Sequence, residues 1–263
     1  MPFNLSLSRC RLLGLLMGSL WLLPVQAAEL ADTVDQVKAS IVAVGTVQPT
    51  RQPAAKFQAT GFAVGQGRHI ITNAHALPDF LDTPNKEMLA VFIGQGKQVE
   101  VRPAKKIASD AEHDLALLEI DGAPLPVLRL GASRPVREGQ AIAFTGFPLG
   151  VVLGLFPVTH TGIISAISPV AIPMPMAGKL NATAIRRLKE EPYEVLQLDA
   201  TAYPGSSGSP LYEATTGRVI GVINKVFVQE SKESLLERPS GITYAIPVRY
   251  VQALLQRAAP AKN

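Results

Sequence analysis

The sequence predicts an all-β fold, built as a sandwich or as barrels. Three observations predict it: short runs rich in Val, Ile, Phe and Thr recur along the chain, 21 glycines and 21 prolines punctuate them, and the middle of the chain lacks a long helical apolar period. With 47% hydrophobic and 17% charged residues over 263 positions, the chain is too apolar to be disordered. Its 25 Lys and Arg against 21 Asp and Glu give a net charge of +4. The basic residues form nothing beyond short runs such as Arg186-Arg187, so a nucleic-acid partner is not expected. The lone cysteine, Cys10, excludes an intramolecular disulfide and any site built on two thiolates of this chain.

Taken in order, the first segment is a leader rather than part of the fold. Arg9 and Arg11 precede an apolar run from Leu12 to Leu23, and Val25-Gln26-Ala27 supplies small residues where a signal peptidase cuts. As a helix that run spans roughly 18 Å, short of the roughly 30 Å hydrocarbon core, so the sequence predicts export and cleavage after Ala27, with no stable membrane insertion afterwards. Cleavage removes two arginines, no acid and Cys10, leaving 23 basic against 21 acidic side chains. Glu29 to Ala39 reads as a short helix with Leu30, Val34 and Val37 on one face. Strands are predicted over Ile41 to Val47, Gln58 to Val64, His69 to Thr72, Met88 to Ile93, Val99 to Ile107 and Leu115 to Ile120. After a break at Pro124 to Pro126 and Ser133 to Gly139 they resume over Ala141 to Phe147, Val158 to Ile167, Val195 to Leu198, Val219 to Val226 and Ile242 to Ile246. Two β-barrels of about a hundred residues each fit this division. A Pro- and Met-rich insertion, Pro169 to Pro192, contains a helical turn at Asn181 to Glu190, and Met174-Pro175-Met176 in it offers an apolar contact. A last helix follows Pro247, with Val248, Val251, Leu254 and Leu255 as its apolar stripe up to Ala258.

One local signal carries chemistry: Tyr203-Pro204-Gly205-Ser206-Ser207-Gly208-Ser209-Pro210. A serine in a glycine-flanked turn has the backbone freedom around it that aims N–H groups at one point. Such a turn alone is weak, because a nucleophilic hydroxyl needs a base and a carboxylate to orient that base. His75 ends the strand Ile70-Ile71-Thr72-Asn73-Ala74-His75, and Asp114 opens Asp114-Leu115-Ala116-Leu117. The order His, Asp, Ser then separates rival hydrolases. Gly205-x-Ser207-x-Ser209 approaches the nucleophile elbow of α/β-hydrolases, but no histidine follows Ser207. A subtilisin-like order using Asp32 or Asp35 needs a parallel sheet with helices, which the pattern lacks. A Ser-Lys dyad using Lys225 is allowed by order and leaves His75 and Asp114 without a role.

Thr72-Asn73-Ala74-His75, Asp114-Leu115-Ala116-Leu117, Thr161-Gly162-Ile163-Ile164-Ser165, Gln197-Leu198-Asp199-Ala200, Pro204-Gly205-Ser206-Ser207-Gly208 and Gly241-Ile242-Thr243-Tyr244-Ala245-Ile246-Pro247 together resemble the chymotrypsin-fold serine proteases of the bacterial HtrA/Deg branch. The likeness is collinear from about residue 40 to 250. It implies two six-stranded antiparallel β-barrels, at residues 34–130 and 135–246, with a C-terminal helix at 247–258 and the active site between the barrels. It implies a serine endopeptidase in which Ser207 attacks the scissile carbonyl, His75 carries the proton and Asp114 fixes the imidazole. The resemblance also implies that the backbone around Gly205, Ser206 and Ser207 forms the oxyanion hole. By the same resemblance Thr201, Ile223, Asn224, Lys225, Tyr244 and Ala245 line the primary substrate pocket. Thr201 stands where an acid selects Lys or Arg, so small or medium apolar side chains are expected instead. Protein or peptide substrates, no cofactor, no metal and a periplasmic or secreted location complete the expectation.

The departures from that family are specific. Ser206 stands where trypsin-like enzymes carry Asp and Deg-type enzymes usually Asn, which removes activation by pairing with a new N-terminus. Ser209 replaces the second glycine of the usual pair; if that position needs a backbone conformation that a side chain disfavours, the oxyanion hole is distorted. The alternative is therefore a catalytically silent, chaperone-like binding protein of the same fold. The residues from Pro247 to Asn263 leave no room for the PDZ domain usual in this branch, and the oligomeric state is not transferable. His69, His113 and His160 lack metal-ligand spacing and read as structural or exposed. Asp199 reads as a group that satisfies local backbone donors.

Overall fold

The computed structural model describes residues 30–96, 98–132, 134–148, 154–169, 193–224 and 242–259. Residues 1–27, most of the Pro169 to Pro192 insertion with its helical turn, and Lys225 lie outside the described residues. Among the described residues the chain forms twelve strands and two α-helices. The first six strands are β1 (Ile41–Val47), β2 (Ala55–Val64), β3 (His69–Asn73), β4 (Met88–Gln95), β5 (Gln98–Asp110) and β6 (Leu115–Ile120). They close into a barrel in the order β1-β2-β3-β6-β5-β4, all neighbours antiparallel. The second set is β7 (Ala141–Gly146), β8 (Val158–Pro169), β9 (Glu194–Asp199), β10 (Pro210–Glu213), β11 (Val219–Asn224) and β12 (Ile242–Pro247). It closes as β10-β11-β12-β9-β8-β7, which is the same connectivity as the first barrel. The sequence shows no internal repeat, so the likeness of the two halves lies in topology alone.

The structure adds one strand to the sequence reading: β10, Pro210–Glu213. At four residues it is too short to show a period, and its leading proline reads as a breaker. Tertiary pairing makes it a strand, because β10 bridges β7 and β11 and thereby closes the second barrel. Tyr212 anchors it, fully buried, with its hydroxyl 2.8 Å from Thr145 Oγ1 on β7. Register shifts within the β1–β2, β5–β6, β8–β9 and β10–β11 pairings supply the curvature that closure needs.

Among the described residues, three apolar clusters hold this arrangement. One belongs to the first barrel (Val42, Val44, Ile70, Val91, Leu118) and one to the second (Ile142, Phe144, Ile164, Leu198, Ile223). The third spans both barrels, joining Phe62, Ile71 and Leu117 to Phe147, Tyr212 and Val222. The helices seal it crosswise. Helix α1 (Leu30–Lys38) leads into the first barrel but packs near β7 of the second, with Val37 buried in the shared cluster. Helix α2 (Val248–Ala258) leaves the second barrel and reaches β5 and β6 of the first, burying Val248, Val251 and Leu254. On its outer turns Tyr250 stacks on His113 at 3.8 Å, and Arg257 pairs with Asp110. The barrels are thus strapped together without a disulfide.

Outside the clusters, Glu87 fixes the β1–β2 connection. Its Oε1 accepts from Thr46 Oγ1 at 2.7 Å and Arg51 Nη1 at 2.8 Å, and its Oε2 from the Asp82 N–H at 3.1 Å. These donors, the Asp82 N–H foremost, lower its pKa from 4.5 to about 2. A depressed folded-state pKa gives stability that is complete above the unfolded value and lost as the pH falls toward the folded one. Glu87→Gln is expected to cost about 1–3 kcal/mol at neutral pH and to remove this group's share of acid sensitivity below about pH 4.5. Urea midpoints measured from neutral to acid pH check this, and parallel curves for the two proteins would contradict it.

Candidate active site

The site lies between the barrels and is assembled from loop ends that the strands hold in place. Strand β3 runs out through buried Asn73 into a single 3-10 turn, Ala74–Ala76, that carries His75. Opposite it, Asp114 sits immediately before β6 with φ of 51°. Aspartate is among the few side chains that tolerate this left-handed conformation. Here it turns the Asp114 carbonyl to accept from Asn73 Nδ2 at 3.0 Å and the Ala74 N–H at 3.1 Å. The Asp114 side chain faces the same segment. Oδ1 accepts the His75 N–H at 2.8 Å, and Oδ2 lies 2.5 Å from His75 Nδ1. With Nδ1 bonded to a carboxylate, the neutral ring carries its proton there and leaves Nε2 as the acceptor. The imidazole is about a third exposed, at 36%, and Asp114 less so, at 18%.

The second barrel completes the carboxylate's partners. Asn224, at the end of β11 and 1% exposed, donates from Nδ2 to Asp114 Oδ2 at 2.9 Å. The sequence places it in the substrate pocket, and the structure shows its amide bracing Asp114, because β11 delivers it beside the carboxylate. Ile223 and Ala245, also expected in the pocket, are fully buried in the second barrel's apolar cluster. Alternation along β11 and β12 turns them inward. Thr201 and Tyr244 are half-buried, and Lys225 lies outside the described residues. Behind Thr201, Thr243 Oγ1 donates to the Ala200 carbonyl at 2.5 Å and accepts from the Ala202 N–H at 3.0 Å.

Ser207 stands in the loop between β9 and β10. Pro204 and Gly205 occupy the corner of a turn closed by Ser206 N–H to Tyr203 C=O at 2.9 Å, with Gly205 at φ 96°. Proline first and a left-handed glycine second is the signature of a type II turn. The Ser209 N–H then donates to the Ser206 carbonyl at 3.1 Å and the Gly208 N–H to Ile223 C=O at 2.9 Å. Among the described residues the N–H groups of Gly205 and Ser207 donate to no protein acceptor, while those of Ser206, Gly208 and Ser209 each do. The Ser207 hydroxyl makes no hydrogen bond to His75 among these residues. The loop is fastened to the first barrel by Thr60 N–H to Ser207 C=O at 2.9 Å.

The two serine departures fall into place locally. Neither Ser206 nor Ser209 has a left-handed φ, so neither backbone is strained by its side chain. Ser209 finds its room at Gly146: a Cβ added there would stand 2.0 Å from Ser209 Oγ. The glycine missing from position 209 is matched by one on the adjacent strand, β7. Gly208 must remain glycine, since its φ is 82° and an added Cβ would meet the Thr60 carbonyl at 2.1 Å. Of the other histidines, His160 stacks on Phe144 at 4.9 Å and burial pushes its pKa down. His113 is held by Asp110 at 3.0 Å. Asp110, Glu112 and His113 come close enough to bind an ion in principle, but Asp110 is already paired with His113 and Arg257. Asp199 is exposed at the end of β9.

Closed six-stranded barrels with this cleft define a class, and comparison with known proteins agrees. Residues 59–222 match the model of the trypsin-like peptidase domain, more than half of the chain, and the chain belongs to that family. A probable periplasmic serine endoprotease DegP-like from Pseudomonas fluorescens is 30% identical over 200 residues, covering 75% of this chain and 34% of that protein. Mitochondrial serine protease HTRA2 of Drosophila willistoni is 30% identical over 241 residues, covering 89% of this chain and 47% of that protein. The chain therefore spans less than half the length of these relatives. Among solved structures, HtrA-type protease AlgW with a decapeptide superposes with a TM-score of 0.63 at 22% identity, over 88% of this chain and 67% of that one.

The pairing of Ser209 with Gly146 gives a direct test of how the loop is seated. Gly146→Ala is expected to destabilise the protein by about 1–3 kcal/mol, as overpacking of a filled interior does. Ser209→Gly on that background is expected to restore part of the loss. A double-mutant cycle by chemical denaturation should give a coupling of about 1 kcal/mol; strict additivity would mean that the two positions do not share this space.

Proposed function

We propose that this chain is an exported serine endopeptidase that cleaves proteins or peptides through an acyl-enzyme, with Ser207 as nucleophile, His75 as base and Asp114 as the group that orients it. The observation that carries the reading is the shared Asp114 carboxylate. It holds the Nδ1 side of His75 and leaves Nε2 as the free acceptor, while the serine loop offers two N–H groups that have no protein acceptor among the described residues. His75 Nε2 takes the Ser207 proton as Oγ bonds to the scissile carbonyl carbon. The carbonyl oxygen, now negative, is met by the Gly205 and Ser207 N–H groups, each such donor contributing roughly 3 kcal/mol to transition-state stabilisation. The same Nε2 then hands its proton to the leaving amine, and water repeats the cycle on the acyl-enzyme. In the free protein, the unmade Ser207–His75 bond is compatible with this, since such contacts often tighten only around substrate.

The silent-protein alternative depends on a hole distorted at Ser206 and Ser209. Their unstrained φ values, and the space for Ser209 at Gly146, favour the enzyme. Thr201, half-buried near the pocket, brings no charge to it, in keeping with small or medium apolar side chains before the cleaved bond. A serine-directed fluorophosphonate is expected to label the wild type and to leave Ser207→Ala and His75→Ala essentially unlabelled. Peptides with Ala or Val before the scissile bond should be cleaved faster than those with Lys or Arg, and Ser207→Ala should lose about 10⁴-fold or more in kcat. Equal labelling of all three proteins would overturn the triad, and cleavage chiefly after Lys or Arg would overturn the pocket reading.

Export rests on the leader-like residues 1–27 and on the word periplasmic in the name of the DegP-like relative. Among the described residues no helix is long and apolar enough to cross a membrane. Mass spectrometry of the protein recovered from a bacterial periplasm is expected to find a mature N-terminus at Ala28. A chain retaining Met1 to Ala27 would contradict it.

A further inference from the structure

Thr60 on β2 stands out because a fully buried side chain of the first barrel spends both of its hydroxyl's bonds on segments of the second. Its Oγ1 donates to the Gly205 carbonyl at 2.8 Å, and it accepts the Phe147 N–H at 2.9 Å. Its own backbone is equally committed, the N–H to the Ser207 carbonyl at 2.9 Å and the carbonyl to Thr72 Oγ1 at 2.7 Å. We propose that Thr60 is a positioning residue for the oxyanion hole, its hydroxyl fixing the peptide plane between Gly205 and Ser206. The proposal rests on the endopeptidase reading above.

The geometry gives the reason. The Gly205–Ser206 peptide is gripped at both ends, its N–H by the Tyr203 carbonyl and its C=O by Thr60. The next plane is set by the Ser206 carbonyl, which accepts from the Ser209 N–H. A trans peptide points its N–H opposite its C=O, so this bond also aims the Ser207 N–H. Gly205 is the soft joint in this series: it has no side chain, its φ is 96°, and its own N–H has no protein acceptor among the described residues. The Thr60 hydroxyl is the grip next to that joint that comes from the other barrel. Without it, the plane is held only at its Tyr203 end, and the Gly205 joint loosens enough to spoil the aim of the two N–H groups. Tyr203 still holds one end of the plane, so the Ser207 side chain and the substrate groove are left in place.

The test separates the hydroxyl from the packing. Thr60→Val keeps the shape and the backbone bonds but removes both hydroxyl bonds, and Thr60→Ser keeps the hydroxyl and removes a methyl. With folding of each variant verified by thermal melting, Thr60→Val is expected to lose about 10- to 100-fold in kcat with KM within about twofold. Its affinity for a peptide boronate, which takes up the tetrahedral geometry, should fall by a similar factor. Thr60→Ser should stay within about threefold of wild type in both. A Thr60→Val enzyme with wild-type kcat and boronate affinity overturns the proposal, and so does a Thr60→Ser enzyme as impaired as the valine variant, since the methyl would then be what matters. Wild-type and Ser207→Ala proteins run alongside: if they are equally inert, the endopeptidase reading itself fails and this proposal with it, whereas an active wild type isolates the effect of Thr60.

Discussion

The cleft depends on one carboxylate held where two barrels meet. Taking a carboxylate out of water costs several kcal/mol unless hydrogen bonds replace its hydration. Asp114, at 18% exposure, receives three: the backbone N–H of His75, the His75 ring and the Asn224 amide. Two of these donors come from the first barrel and one from the second. The charge is therefore satisfied only when the barrels are docked in one orientation. That docking is enforced by the shared apolar cluster and by the crossed helices, α1 on the second barrel and α2 on the first. Hydrophobic burial is not directional, so it supplies the adhesion; the polar contacts across the cleft select the registration.

The same division of labour organises the serine loop. Its position comes from strand pairing at β9 and β10, and its fine orientation comes from hydrogen bonds that cross to β2. Thr60 makes the crossing bonds, and its neighbourhood is packed tightly enough that Gly208 and Gly146 have no space for a Cβ. A loop gripped in this way gives up little mobility when a transition state forms, which is how preorganised donors outperform water. The left-handed Asp114 fits the same pattern, its backbone conformation being held by Asn73 and Ala74 on one side and β6 on the other.

How much of this is legible in the sequence follows from how local each signal is. Strands with five or more residues show themselves through β-branched content and alternation, and the helices through an apolar stripe, with Pro247 marking the start of the last one. Short β10 gives no such signal, because its strand character comes from the neighbours it closes against. At the site, His75, Asp114 and the Gly-rich serine turn carry composition that chemistry makes recognisable. Thr60 carries none. Its partner Gly205 is 145 positions away, and a threonine in a strand is ordinary. Asn224 lies in a neighbourhood that the sequence makes recognisable, but only the fold shows that its amide donates to Asp114.

The serines at 206 and 209 show why a departure from a family pattern has to be judged with its spatial partners. Along the chain, Ser209 threatens the backbone of the loop. In space, it occupies the volume left by Gly146 and keeps an ordinary φ, so the side chain costs packing room rather than conformation. Ser206 is buried, and among the described residues its hydroxyl has no hydrogen-bond partner. An aspartate in that place would bury a charge with nothing to neutralise it, at a cost of several kcal/mol, and would pull on the same loop that carries the Gly205 and Ser207 N–H groups. A neutral hydroxyl avoids that tension. The loop's geometry then rests on hydrogen bonds to Tyr203, Ser209 and Thr60, none of which calls on a charge at position 206.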